Sequence, residues 1–242
     1  MIYTGRTRRI TEYQPPMHPV PPDLPPALAD IDRRWGSNTL RPLAALPDRA
    51  HQPHIPTGLP TLDAVLSSGI PQRRLTLLTG IPTAGTTVLS YRLMAEAQHI
   101  DQIVVYLDLS RCFDLLAAQR CGVEMDSLLL IHPETVRDAV ALLRDLAAED
   151  SPLLAVLDGL LLRHPLPDLS WLHAVLRPSR MTLLVLLPPV LATGVPSDVH
   201  LHVAREAWLY QRRDVTGIRS RITVQKAINQ PEGQTVTVDV PL

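Results

Sequence analysis

Four short apolar runs, Leu75–Gly80 (LTLLTG), Ile103–Asp108 (IVVYLD), Leu153–Asp158 (LLAVLD) and Thr182–Leu187 (TLLVLL), govern how this chain can fold. Each has the length of a strand and falls far short of the roughly 18 residues that cross a bilayer. None alternates polar with apolar residues, so each predicts a strand buried on both faces. Between them lie helical stretches over Thr86–Gln98, near Phe113–Arg120 and from Glu134 to about Ala148, with a further strand at Leu128–His132. Strands and helices in this alternation predict an α/β fold, with a mainly parallel central sheet flanked by helices. Residues 199–210, 218–228 and 234–240 alternate more and carry turns at Asp214–Gly217 and Pro231–Gly233. They predict antiparallel strands appended at the C-terminal edge.

The first quarter is built differently. Of 24 prolines, 12 fall in the first 60 residues, and dense proline forms neither regular helix nor interior strand. Residues 1–25 read as an extended Pro-rich arm. Residues 26–56 read as a short helix and linker, with Leu28, Ile31 and Trp35 on one helical face as candidate partner contacts and Gly36 as the stop. The core domain is expected over 57–242. A formal net charge of −1 excludes a bulk electrostatic drive toward nucleic acid or membrane. Two cysteines, Cys112 and Cys121, exclude a disulfide framework and are expected to be small buried residues. Arg6, Arg8 and Arg9 precede no signal-peptide core, and the expected localisation is cytoplasmic.

The segment Gly80-Ile-Pro-Thr-Ala-Gly85-Thr86-Thr87 follows a buried strand and opens a helix. In that layout backbone N–H groups and a helix N-terminus cradle phosphate. The Walker pattern asks for Lys where Thr86 stands.

The resemblance here is to the RecA recombinase family. TGLPTLDAVLSSGIPQRRLTLLTG (57–80) is similar to the approach to that family's nucleotide loop. YLDLSRCFD (106–114) resembles the strand bearing its catalytic glutamate, and LLAVLD (153–158) its Walker B strand. CGVEMDSLLLIHPET (121–135) and RITVQKAINQP (221–231) resemble further core strands, and PPALADIDRRWGSNTLRPL (25–43) resembles the N-terminal packing helix. The family's separate C-terminal domain has no counterpart in this sequence. The resemblance implies a RecA-like P-loop core whose nucleotide-site positions are Gly80, Gly85, Thr86, Thr87, Asp108 and Asp158. It also places Lys226 where the family reaches a neighbouring subunit's nucleotide.

Three of the family's chemical groups are missing. Thr86 carries no charge, Ser110 stands where the catalytic glutamate belongs, and Pro188–Pro189 replace a γ-phosphate-sensing Asn-Gln pair. The two DNA loops of the family are also shortened, the second to about 192–199. Phosphate contact is then expected, weakly, from Arg212, Arg213, Arg219 and Arg221, or from the arm. His200 and His202 share one strand face but lack a third ligand, so no metal site is expected. The expectation is an impaired or inactive RecA-like paralogue in DNA repair or recombination, with a RecA filament as partner and a homo-oligomer also open. The alternatives are a scaffold resembling the ImuA-type factors beside a translesion polymerase, and an unorthodox Mg-ATP-dependent enzyme. No cofactor is certain.

Overall fold

The computed structural model describes residues 30, 34, 52–167, 169–228 and 230–241. Asp30 and Arg34 are helical and exposed. The expected arm, and Leu28, Ile31 and Trp35, lie outside the described residues.

Among the described residues from 52 onward, ten strands, β1 (His54–Ile55), β2 (Ile70–Pro71), β3 (Leu75–Gly80), β4 (Ile103–Asp108), β5 (Leu128–Ile131), β6 (Leu153–Asp158), β7 (Met181–Leu187), β8 (Val199–Gln211), β9 (Asp214–Lys226) and β10 (Thr235–Pro241), are joined by five α-helices. These are α1 (Pro60–Val65), α2 (Thr86–His99), α3 (Leu115–Arg120), α4 (Val136–Ala147) and α5 (Leu172–Leu176). The main sheet has the order β10-β9-β8-β3-β7-β6-β4-β5, and β1 pairs separately with β2. Its first strand pair thus begins just ahead of the expected core boundary at Thr57.

All four apolar runs are strands, and β3, β6 and β7 are buried along their whole length. Alternate residues feed two cores. Leu78, Tyr106, Val156 and Leu186 pack under α2, while Leu77, Leu107, Leu157 and Leu187 pack with α4 and α5. Each such aliphatic burial contributes about 1.5–3 kcal/mol. Among the described residues no helix is long and apolar enough to cross a membrane.

The C-terminal strands form the expected antiparallel edge, β10-β9-β8, and differ from expectation in one detail. β8 joins the edge to the sheet, pairing in parallel with β3 over Val199–Val203 and, on its other side, antiparallel with β9 from His200 to Gln211. The first hairpin turns at Arg212–Arg213, where Arg212 takes a left-handed φ of 59°, while Asp214 and Gly217 are already paired in β9. The exposed Cys112 and half-buried Cys121 also depart from the buried expectation. Cys112 sits in the loop after β4, its backbone held by Asp108.

Candidate functional site

The loop joining β3 to α2 lies at the C-terminal edge of the parallel strands. Thr83 and Gly85 take left-handed φ values of 67° and 97°. Glycine is required by space as well as by conformation: a Cβ at Gly85 would stand 2.8 Å from the Ser220 hydroxyl oxygen, and one at Gly80 would stand 2.1 Å from Thr86 Oγ1. Ser220 on β9 donates from Oγ to the Ala84 carbonyl at 2.7 Å, fastening the loop to the antiparallel ribbon. Thr86, at the position of the family's lysine, is buried against Gly80, and its hydroxyl has no hydrogen-bond partner among the described residues. A side chain turned under the loop brings no charge to its mouth.

Asp108 and Asp158 are partners in the register of β4 and β6, so both carboxylates sit on the sheet face covered by α2. Asp158 is almost wholly buried, and every contact it makes is internal. Its Oδ2 accepts from the Tyr106 hydroxyl at 2.7 Å. Its Oδ1 accepts from the Leu160 N–H at 3.0 Å and the Ser110 hydroxyl at 3.3 Å. Burial holds the Asp158 carboxyl above the usual carboxylate range, against the opposing pull of these hydrogen bonds. The same burial raises the Tyr106 phenol, keeping it protonated and donating. Around it Tyr91 and Phe113 complete an aromatic cluster, with ring centroids 5.0–6.2 Å apart. Tyr91, pushed up to about 12 mainly by burial, accepts from the Asp114 N–H.

Asp108 serves the backbone. Its two oxygens accept from the N–H groups of Cys112, at 3.3 Å, and Phe113, at 3.0 Å, with His132 Nε2 3.6 Å away. It thereby shapes the loop that carries Ser110.

The remaining sequence candidates separate. Thr87 is the second residue of α2, and its carbonyl accepts from the Ser90 hydroxyl. Lys226 ends β9 opposite His200, away from the loop, and donates to the Ser197 carbonyl. Arg219 forms a two-pronged pair with Asp239 at 2.7 and 2.8 Å, and Arg221 pairs with Glu206. Arg212 and Arg213 stand exposed at the hairpin tip. His200 and His202 both meet the Thr79 hydroxyl, at 3.0 and 3.1 Å. Burial lowers the His200 pKa.

Two elements of the site escaped the sequence reading. Tyr106 was the one aromatic residue inside the four apolar runs, a signal that was available. Arg205 and Trp208 had no local signal. Arg205 donates to Thr83 Oγ1 on the loop and stacks on Trp208, with its guanidinium carbon 4.4 Å from the ring centroid. Between this pair and the loop is a cavity of about 340 Å³, walled by Ile81, Val88, Leu160, Trp208 and Ile218.

Comparison with known proteins agrees with this architecture. The profile of the RecA N-terminal domain matches residues 23–167. Protein RecA of Chloroflexus aurantiacus is 31% identical over 137 residues, covering 56% of this chain and 39% of that protein. Protein RecA of Aquifex pyrophilus is 29% identical over 145 residues, covering 60% of this chain and 41% of its own length. The matched region is thus about two fifths of each relative. With a strand–loop–helix phosphate motif, an adjacent carboxylate pair and the family profile over more than half its length, this chain belongs to the RecA family.

Proposed function

We propose that this RecA-family chain acts in DNA repair or recombination by binding a partner, a RecA filament in the first instance, and does not hydrolyse ATP. The observation that carries this reading is the burial of Asp158 with both oxygens already accepting from the protein, Oδ2 from Tyr106 and Oδ1 from Ser110 and the Leu160 N–H, so a magnesium-bound water would have to compete with these internal donors. The residues present do not fit a hydrolytic magnesium–nucleotide centre. The loop position for a cation is a buried threonine, and the position for a carboxylate base is a serine bonded to Asp158. Pro188 and Pro189 offer no side-chain donor beyond β7.

A binding role is supported by the far edge of the sheet. Among the described residues β5 is an edge strand of four apolar residues, in which Leu129 is 53% and Leu130 40% exposed. An unpaired apolar edge is a place where another chain adds a strand or packs. Leu28, Ile31 and Trp35 remain the proposed second contact.

The test has two parts. Purified protein should show no ATP turnover above background, and Thr86→Lys should not restore it, because Ser110 and the internally bonded Asp158 remain. Robust turnover by either protein refutes the reading. A tagged chain drawn from nuclease-treated host extract should retain RecA, and Leu129→Asp/Leu130→Asp should release it. Retention of a translesion polymerase without RecA would point instead to the ImuA-type scaffold.

A further inference from the structure

The edge of the sheet at which β3, β4, β6 and β7 end carries more exposed apolar surface than a partner contact at β5 accounts for. These strands run in parallel and are neighbours in the order β3-β7-β6-β4, so the loops leaving them lie side by side. Strands stand about 4.8 Å apart, which brings all four loops within roughly 15 Å. Each exposes large aliphatic side chains. Ile81 after β3 is 55% exposed, Leu161 after β6 49% and Val190 after β7 81%, and Leu115 and Leu116 are exposed at the start of α3, after β4. An apolar row of this kind, rimmed by charge, marks a contact surface.

At the β3 end the row has a socket. The cavity of about 340 Å³ is walled by Ile81, Val88, Leu160, Trp208 and Ile218, and no carboxylate lines it. In a regular strand, residues three apart face opposite sides. β8 pairs Arg205 with Ser220 but Ala207 with Arg219, so Glu206 is an extra residue, and the bulge turns Trp208 onto the face of Arg205. The rim is basic. Arg205 donates to Thr83 Oγ1 and, like Arg212 and Arg213 at the hairpin tip, pairs with no carboxylate among the described residues. Residues 199–226 hold six Lys or Arg and two Asp or Glu, in a chain of net charge −1. Residues 81–88 and 159–167 add Arg163 and no Asp or Glu. Asp108 and Asp158 are turned inward, and Asp114 caps α3.

We propose that this edge docks a linear segment of a partner protein in which apolar side chains stand beside acidic ones. One apolar side chain fills the cavity against Trp208, and the carboxylates next to it meet Arg205 and then Arg212–Arg213. The inference rests on the partner-binding function proposed above and gives it a second face, separate from the β5 strand. Charge complementarity selects the occupant. A nucleotide would bring several negative charges to an apolar mouth, and a wholly apolar ligand would leave Arg205 unmatched. An apolar anchor flanked by carboxylates satisfies both the cavity and its rim, and buried anchors of this kind carry most of the energy of a contact. From Arg205 to Arg212 the ribbon rises roughly 20 Å, the length of about six extended residues.

The experiment titrates the full chain into a fluorescein-labelled peptide of about nine residues, with Leu-Phe at its centre and Glu or Asp on both sides, read by anisotropy over a salt series. Binding in the micromolar range is expected. Replacing Leu-Phe by Ala-Ala in the peptide should weaken it by about tenfold or more, and replacing its acidic residues by Lys should abolish it. Trp208→Ala should weaken binding by about tenfold, while Trp208→Phe keeps most of the affinity. Ile81→Ser should cost about fivefold. Arg205→Ala should cost about fivefold and flatten the salt dependence. Arg219→Ala, its charge already matched by Asp239, should change affinity less than about twofold. The proposal is overturned if the peptide does not bind at millimolar concentration, or if the Trp208, Ile81 and Arg205 variants bind it as the unaltered chain does. It is equally overturned if MgATP or an oligonucleotide displaces the peptide from the cavity. Self-association of the chain that Trp208→Ala breaks would make a second copy the occupant and overturn it too. A peptide that fails while RecA is retained strikes this inference alone, whereas ATP turnover strikes the proposed function, so the two readings can fail separately.

Discussion

The two sides of the candidate site have diverged in opposite ways. At the ends of β4 and β6 every polar group is turned inward: Asp158 meets three donors, Asp108 two backbone N–H groups, and three aromatic rings fill the space behind them. Across the sheet, where β3 and β8 meet the ribbon, the loop stands over an open apolar cavity with an arginine at its rim. The first region has become part of the core, where polar groups are tolerated only when bonded. The second keeps an apolar opening between the loop and Trp208. Within one sheet, the two ends of the candidate site thus differ in how their polar groups are satisfied.

If the closed side is structural, breaking it should cost stability. Tyr106→Ala removes a fully buried ring and a donor to Asp158, and should destabilise by about 3–5 kcal/mol in urea unfolding. Tyr106→Phe keeps the ring and should cost about 1–3 kcal/mol, the penalty of one unmet oxygen. A Tyr106→Ala protein as stable as the parent would remove the contrast between the two sides.

Changes on the loop side should be smaller. Gly85→Ala puts a Cβ on a left-handed residue close to Ser220, for about 1–2 kcal/mol. Thr86→Val replaces an unpartnered buried hydroxyl with a methyl group and should be neutral or stabilising by up to about 1 kcal/mol. A marked loss in Thr86→Val would mean that its hydroxyl has a partner after all.

Protonation offers a finer probe near β3. His200 has a depressed pKa in the fold, and an unfolded histidine titrates near 6.5. Between those values the unfolded chain binds the extra proton, so stability falls as pH drops below about 6.5. His200→Gln should flatten that part of the melting-temperature profile, and an unchanged slope would reassign it. The smallest effect is expected at the exposed Arg219–Asp239 pair, where Asp239→Asn should leave stability unchanged within error at moderate salt.

Much of the fold was legible in the chain because its signals are local. Continuous apolar runs mark strands buried on both faces, helical spacing marks the covering elements, and the glycine pair marks the turn between β3 and α2. Asp108 and Asp158 were marked as the carboxylate ends of two of those runs, and their pairing as direct neighbours came from the register of β4 with β6. What the sequence could not display are contacts that depend on register. Tyr106 lies 52 residues from Asp158, and only the pairing of β4 with β6 brings its hydroxyl to that carboxylate. Arg219 and Arg221 look like free cations until β10 and β8 supply Asp239 and Glu206. Trp208 and Arg205, three apart in a strand, share a face only because Glu206 bulges. Periodicity is a property of neighbours along the chain. Which oxygen is satisfied, which arginine is neutralised and which ring faces the loop are decided between strands, where one residue of slip reverses every side chain.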